Sequence, residues 1–234
     1  MYWIGTSGYS YPEWKGSFYP EDLSTGKMLG YYSDRFSTVE INNTFYRMPS
    51  EKVLSGWAEG TPEGFAFTLK APRRITHDAR LRDCENNVTT FCERSQKLGP
   101  KLGVLLFQTP PWLRKNLEVF DTFAEWLPAG TRAAFEFRHE SWFSDDVYER
   151  LRARNLAFCV SDNEKLSTPM VSTADYGYFR LRDEGYGRAD IKKWAGTIAD
   201  EASDWDDVFV YFKHEKAGKG TEFAKMLRED LGAG

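Results

Sequence analysis

TRAAFEFRH, residues 131–139, alternates two kinds of side chain. One row holds Ala133, Phe135 and Phe137; the other holds Arg132, Ala134, Glu136 and Arg138. Successive side chains of an extended strand point to opposite faces, so this strand is apolar on one face and small or charged on the other. In an open doubly wound sheet, helices cover both faces and both rows are apolar. In a closed barrel, one row meets a ring of helices and the other fills a crowded lumen. The alternation therefore favours a barrel.

The same division recurs along the chain. Val39 and Ile41 oppose Thr38, Glu40 and Asn42; Phe65, Phe67 and Leu69 oppose Ala66, Thr68 and Lys70. Phe179 and Leu181 oppose Tyr178, Arg180 and Arg182; Val208, Val210 and Phe212 oppose Phe209, Tyr211 and Lys213. Eight strand-like segments are expected, at 3–7, 37–42, 65–70, 102–108, 132–138, 156–161, 176–182 and 207–213. Helical stripes lie between most of them. Val88, Phe91, Ser95 and Leu98 form one stripe, behind the expected caps Asn86 and Asn87 and ahead of the breaker Gly99-Pro100. Leu117, Phe120, Ala124 and Leu127 form a second behind Asn116. Ile191, Trp194, Ile198 and Ala202 form a third, and Phe223, Met226 and Leu227 a fourth. Residues 162–175 carry no stripe. The expected fold is one α/β domain over 1–234, a (β/α)8 TIM-type barrel whose helix after strand six is reduced to a loop.

A chain of 234 residues with 28% charged residues and a net charge of −4 suits a barrel of this size. The acidic balance argues against a long nucleic-acid footprint and leaves a local basic pocket open. Cys84, Cys92 and Cys159 are odd in number and match no C-x-x-C pattern, which points to reduced thiols and a cytoplasmic protein. Tyr2-Trp3-Ile4-Gly5 starts a strand where a leader peptide would need a basic and then an apolar run. No stretch approaches the roughly 20 apolar residues of a membrane span. No cofactor is implied.

Barrel enzymes carry their working groups at the C-terminal ends of the strands. The last inward residues here are Ser7, Asn42, Lys70, Gln108, Arg138, Ser161 with Asp162 beside it, Arg182 and Lys213. One layer deeper lie Glu40, Glu136, Arg180 and Tyr211. So many polar groups converging in a lumen must pair with one another or with a ligand, because an unpaired buried ion costs several kcal/mol. Glu40 and Glu136 have two readings: an acid/base pair, or structural partners of Lys70, Arg180 or Arg138. Five cations (Lys70, Arg138, Arg180, Arg182 and Lys213) stand against these two glutamates, and a phosphate- or carboxylate-bearing ligand would answer the excess.

His77, His139 and His214 match no metal-ligand spacing, so no metal site is expected. His77, which follows the strand carrying Lys70, is the histidine best placed for catalysis. The first loop, GTSGYSYPEWKGSFYP (5–20), sets Tyr9, Tyr11, Trp14, Phe18 and Tyr19 among glycines. It reads either as a stacking wall for a ligand or as a loop buttressed by its own aromatics. Arg73-Arg74 reads as solvated surface charge.

GTSGYSYPEWKGSFYP (5–20), VEINNTFYRMP (39–49), Lys70 with Thr76-His77, LLFQTPP (105–111), EFRHESW (136–142), TADYGYFRLR (173–182) and VYFKHE (210–215) resemble, in the same order, the YecE-like family of barrels, the domain of unknown function numbered 72. The resemblance implies a barrel related to the xylose-isomerase-like group and brings no reaction with it. The family pattern falls on Glu40, Asn42, Lys70, His77, Gln108, Glu136, Arg138, Trp142, Asp175 and Arg180. Arg182 stands where many members carry His, and Lys213-His214-Glu215 where many carry Asn-Asn-Asp. A more distant likeness to metal-dependent apurinic-site endonucleases implies DNA repair, although those enzymes ring their metals with more histidines than the three here.

Three functions follow as expectations. The first is an enzyme or sensor for a small anionic ligand, with Glu40, Glu136, Lys70 and His77 as acid/base groups. Asn42, Gln108, Arg138, Trp142, Asp162, Arg180, Arg182, Tyr211 and Lys213 would contact the ligand. The second is a metal-dependent phosphodiesterase. The third is a binding module without catalysis, which would carry a contiguous apolar or basic patch outside the barrel mouth. Neither a membrane role nor an oligomeric state is indicated.

Overall fold

The computed structural model describes residues 1–162, 166–214 and 216–233. Eight parallel strands close into a barrel in sequence order: β1 (Tyr2–Ser7), β2 (Thr38–Ile41), β3 (Ala66–Lys70), β4 (Leu102–Gln108), β5 (Ala133–Glu136), β6 (Ala157–Asp162), β7 (Tyr176–Leu181) and β8 (Asp207–Phe212). Closure runs from Tyr2 opposite Val208 to Thr6 opposite Phe212. The connecting helices are α1 (Met28–Ser33), α2 (Glu51–Glu59), α3 (Glu85–Ser95), α4 (Leu117–Glu125), α5 (Asp145–Ala153), α6 (Arg188–Glu201) and α7 (Lys219–Asp230). No helix lies between β6 and β7 among the described residues, and residues 163–165 of that connection lie outside them.

The two rows of each strand separate into two apolar clusters. Val39, Phe67, Phe107, Phe135, Phe179 and Val210 join the helices in the outer cluster. Val104, Leu106, Ala134, Tyr178, Phe209 and Tyr211 fill the lumen. The outer side of β4 and β5 is an aromatic stack in which Phe107 and Phe135 lie 5.3 Å apart, with Phe120 and Phe123 of α4 edge-on to Phe135. Burying one such ring contributes about 1.5–3 kcal/mol, so this row fixes which way the strand faces.

Caps follow local chemistry. Asn116 Oδ1 accepts from Val119 N at 2.9 Å and starts α4, as expected for an Asn ahead of an apolar stripe. The expected caps Asn86 and Asn87 fall inside α3 instead, whose N-cap is Cys84. Asp83 ahead of it has φ +48°, so the chain has already turned before either asparagine is reached.

At β1, a Cβ on Gly5 would sit 2.2 Å from Thr38 O and 2.9 Å from the Tyr32 hydroxyl. That hydroxyl accepts from Thr6 N at 2.9 Å and donates to Thr38 O at 3.0 Å, bridging β1 to β2 through α1. The first loop is held by itself: Trp14 O accepts from the amides of Phe18 and Tyr19, and Trp14, Phe18 and Tyr19 are all buried. Its aromatics form a buttress rather than an exposed stacking wall.

Candidate functional site

The lumen is layered. Tyr211, at the end of β8, places its hydroxyl between Thr38 and Thr68 at 2.7 and 2.8 Å. It is fully buried below the mouth, so its expected ligand contact is replaced by these two threonines. Above it sits an ion cluster. Arg180 on β7 reaches across the barrel to both inward glutamates: Nε donates to Glu40 Oε2 at 2.9 Å, Nη2 to Glu40 Oε1 at 2.7 Å, and Nη1 to Glu136. Glu40 also accepts from Ser7, from Asn42 Nδ2 at 3.2 Å and from the Tyr178 hydroxyl at 2.6 Å. Glu136 accepts from Gln108 Nε2 at 2.8 Å and from Arg182 Nη2. Of the two readings of the glutamates, the geometry has the ion-paired one.

Burial alone would raise both carboxyls, but the charge of Arg180 holds Glu40 and Glu136 below the usual carboxylate range. Both stay ionised and bonded at neutral pH and are poor proton carriers. Arg180, expected to bind an anion, is buried with its donors directed at this pair.

The rim above is less satisfied. Lys70 Nζ donates to Gln108 Oε1 at 2.7 Å and lies 4.2 Å from the centroid of Phe45. Burial, then the charge of Arg180, pushes its ammonium down to about 7. His77 meets Phe45 edge-on at 4.9 Å, in a π-helical turn at Arg74–Asp78, and its Nδ1 is 2.9 Å from Thr76 Oγ1. Burial and the charges of Lys70 and Arg138 push it down to about 4, so it is neutral near pH 7. Arg138 is half-buried and makes no ion pair among the described residues. Arg182 donates to Ser161 Oγ at 2.8 Å, while its Nε is buried with no hydrogen-bond partner among the described residues. Lys213 lies exposed at the end of β8.

The structure thus brings together Glu40, Asn42, Lys70, Gln108, Glu136, Arg180 and Arg182, with His77 and Arg138 at their edge. Two expected ligand contacts lie elsewhere. Trp142 is stacked 4.3 Å from Phe137 on the outer side of β5, and its Nε1 donates to Leu113 O at 2.8 Å. Asp162 accepts from the Tyr186 hydroxyl at 2.7 Å and lines a 440 Å³ cavity against α6, outside the barrel. Tyr178 was missed as a site residue, although it stands in the inward row two residues before Arg180.

The histidines offer no common donor set. His139 Nδ1 accepts from Ser141 N at 3.1 Å, and His214 Nε2 is 2.7 Å from Asp183 O. No group of three or more His, Cys, Asp or Glu among the described residues is placed to hold a metal ion; Glu215 lies outside them. Cys84, Cys92 and Cys159 are buried and unbridged. No helix among the described residues is long and apolar enough to cross a membrane.

The profile of a family described as "Protein of unknown function DUF72" matches residues 3–234. UPF0759 protein YecE of Escherichia coli K12 is 32% identical over 158 residues, 67% of this chain, and the match spans 55% of that protein's own length. UPF0759 protein YunF of Bacillus subtilis is 26% identical and aligns with 99% of the chain and 95% of its own length. A DUF72 family crystal structure from Thermotoga maritima superposes with a TM-score of 0.90 at 28% identity, covering 99% of both chains. Another, from Enterococcus faecalis, has a TM-score of 0.84 at 18% identity over 99% of this chain and 96% of its own, and shares the fold. A profile match over nearly every residue places the chain in the DUF72 family.

Proposed function

We propose that the barrel mouth binds a small anion carrying a phosphate or carboxylate, and that Lys70 exchanges a proton with it. The supporting observation is where the positive charge stands after the internal pairs are counted. Glu40 and Glu136 are engaged by Arg180 and Arg182, whereas Lys70 and Arg138 make no ion pair among the described residues. Arg182 adds a buried Nε without a hydrogen-bond partner among the described residues. Cations held together at low dielectric repel, and an anion relieves that repulsion. Arg182 and Arg138 supply planar donors suited to oxyanions, and Lys213 stands at the same rim. A lysine near 7 is present in both protonation states at neutral pH, which is what a general acid/base requires.

The test is thermal unfolding at constant ionic strength with phosphate, sulfate or a sugar phosphate against chloride. A ligand at a hundredfold excess over its Kd stabilises by about 2.7 kcal/mol, or about 5 °C for a chain of this length. Arg138→Ala removes the shift, and a change at exposed Lys192 on α6 leaves it intact. Equal responses of the wild type and Arg138→Ala to every anion would reduce the effect to general salt exclusion and overturn the proposal.

A further inference from the structure

Around the mouth, charge is distributed unevenly. The segments after β2, β3 and β4, residues 42–50, 71–83 and 109–116, hold seven Arg or Lys against two Asp in a chain of net charge −4. They line two neighbouring clefts. Arg47, Arg73, Arg74 and Arg94 border one of 380 Å³. Arg80, Arg82, Arg114 and Lys115 border another of 360 Å³. No acidic side chain lines either cleft, and the 71–83 segment forms a wall of both.

Elsewhere several surface arginines are neutralised, Arg132 by Asp207, Arg150 by Asp121 and Arg188 by Asp230, while Arg35, Arg152 and Arg228 donate to backbone carbonyls. On this rim Arg73 pairs with Asp78, and Lys115 with Asp146. Arg47, Arg74, Arg80, Arg82 and Arg114 are exposed and make no ion pair among the described residues. The backbone holds them outward: consecutive left-handed residues, Arg80 at φ +56° and Leu81 at φ +64°, bury Leu81 and leave Arg80 and Arg82 outside. Such conformations cost about 1 kcal/mol or more each and persist where the surroundings impose them.

Aromatic rings are interleaved with these charges. Tyr46 is 78% exposed and Trp112 is 55% exposed, two of only four large apolar side chains so exposed among the described residues. Arg80 lies 4.9 Å from the Trp112 centroid. Guanidinium groups without carboxylate partners, set beside exposed rings, match a chain that alternates negative charge and flat bases. A duplex hides its base faces, and an acidic peptide has none.

We propose that the rim formed by the loops after β2, β3 and β4 is a binding track for single-stranded nucleic acid, with Trp112 and Tyr46 as stacking platforms and Arg47, Arg74, Arg80, Arg82 and Arg114 as phosphate contacts. This surface adjoins the mouth and shares Phe45 with it, but none of its proposed contacts is an anion-site residue, and the proposal does not depend on that site.

The test is fluorescence anisotropy with the full chain and labelled oligo(dT) of about 15 nucleotides, near the upper site size of one single-strand-binding fold. The wild type binds with a Kd of about 1–100 µM that weakens as salt rises. Trp112→Ala weakens binding at least about five-fold at fixed salt, and Trp112→Phe restores most of it, because the gain comes from a ring face. Arg74→Ala with Arg82→Ala weakens binding and lowers the slope of log K against log salt by about 1.4, since each phosphate no longer neutralised removes about 0.7. Arg138→Ala leaves oligonucleotide binding intact even if it abolishes the mouth anion response, so the two proposals fail separately. Absence of binding at low salt overturns the track. So does duplex DNA of equal length, or polyglutamate, binding as tightly as the single strand. A Trp112→Ala variant that binds like the wild type would leave unspecific charge attraction only, and would also overturn it.

Discussion

Lys70 is the residue whose state the fold changes most usefully. Its ammonium is raised in free energy by burial and by Arg180, and pushed down to about 7 from an unfolded value near 10.5. Between those values the unfolded chain binds a proton that the folded chain does not, so this group makes stability rise with pH across about 7–10.5. The penalty is fully present below the folded value and gone above the unfolded one. Lys70→Met therefore gains most over the wild type at pH 6 and progressively less by pH 9, the difference changing by up to about 1.4 kcal/mol per pH unit. Urea unfolding of both proteins at the two pH values measures this; a difference independent of pH would show that Lys70 titrates normally. At this scale the sequence was partly legible. Alternation identifies which residues face inward, so Glu40, Lys70, Gln108, Glu136 and Arg180 could be read. It gives depth only by counting along each strand, and Tyr211, expected in one layer with Glu40 and Arg180, places its hydroxyl beneath them, closed off by Thr38 and Thr68. Trp142 lies beyond the strand, where no period applies, and Phe137 draws its ring to the outer wall.

At the scale of elements, β1 shows how closely strand and helix must approach. The Cβ missing from Gly5 would fall 2.2 Å from a backbone oxygen of β2, which cannot move without parting the strands. Gly5→Ala is expected to lower stability by about 1–3 kcal/mol, the usual cost of overpacking; Gly196→Ala on α6, where nothing lies within 4 Å, is neutral or slightly stabilising. Thermal unfolding of the two variants separates them, and equal effects would place the strain elsewhere. The strands were legible because their outer rows are strongly apolar. The loop after β6 was legible as the absence of a stripe. The start of α3 was not, since two asparagines offered better caps than the Cys84 that performs the role. The basic rim was missed for a related reason: Arg73-Arg74 looks like ordinary solvated charge until folding brings Arg47, Arg80, Arg82 and Arg114 beside it and leaves most of them unpaired.

At the scale of the whole molecule, Arg180 links opposite walls of the barrel. One side chain on β7 binds carboxylates on β2 and β5, so three strands distant in the sequence share one charge balance. Burying such a network need not stabilise the fold relative to an apolar core, but removing one member leaves its partners charged and dry. Arg180→Met retains much of the volume and strands Glu40 and Glu136 without their common cation. The expected loss is about 3–5 kcal/mol, a large share of the roughly 5–15 kcal/mol that holds a domain folded. If the loss is electrostatic, neutralising one stranded carboxylate must return part of it. Glu40→Gln keeps an oxygen to accept from Ser7 or Tyr178, and Glu136 keeps Arg182. The double variant Glu40→Gln/Arg180→Met is therefore expected to be at least about 1 kcal/mol more stable than Arg180→Met alone, although Glu40→Gln by itself destabilises the wild type. Denaturant unfolding of all four proteins gives the coupling directly. Losses that simply add would mean that Arg180 acts by filling space, and that each glutamate is held by its hydroxyl and amide partners without it.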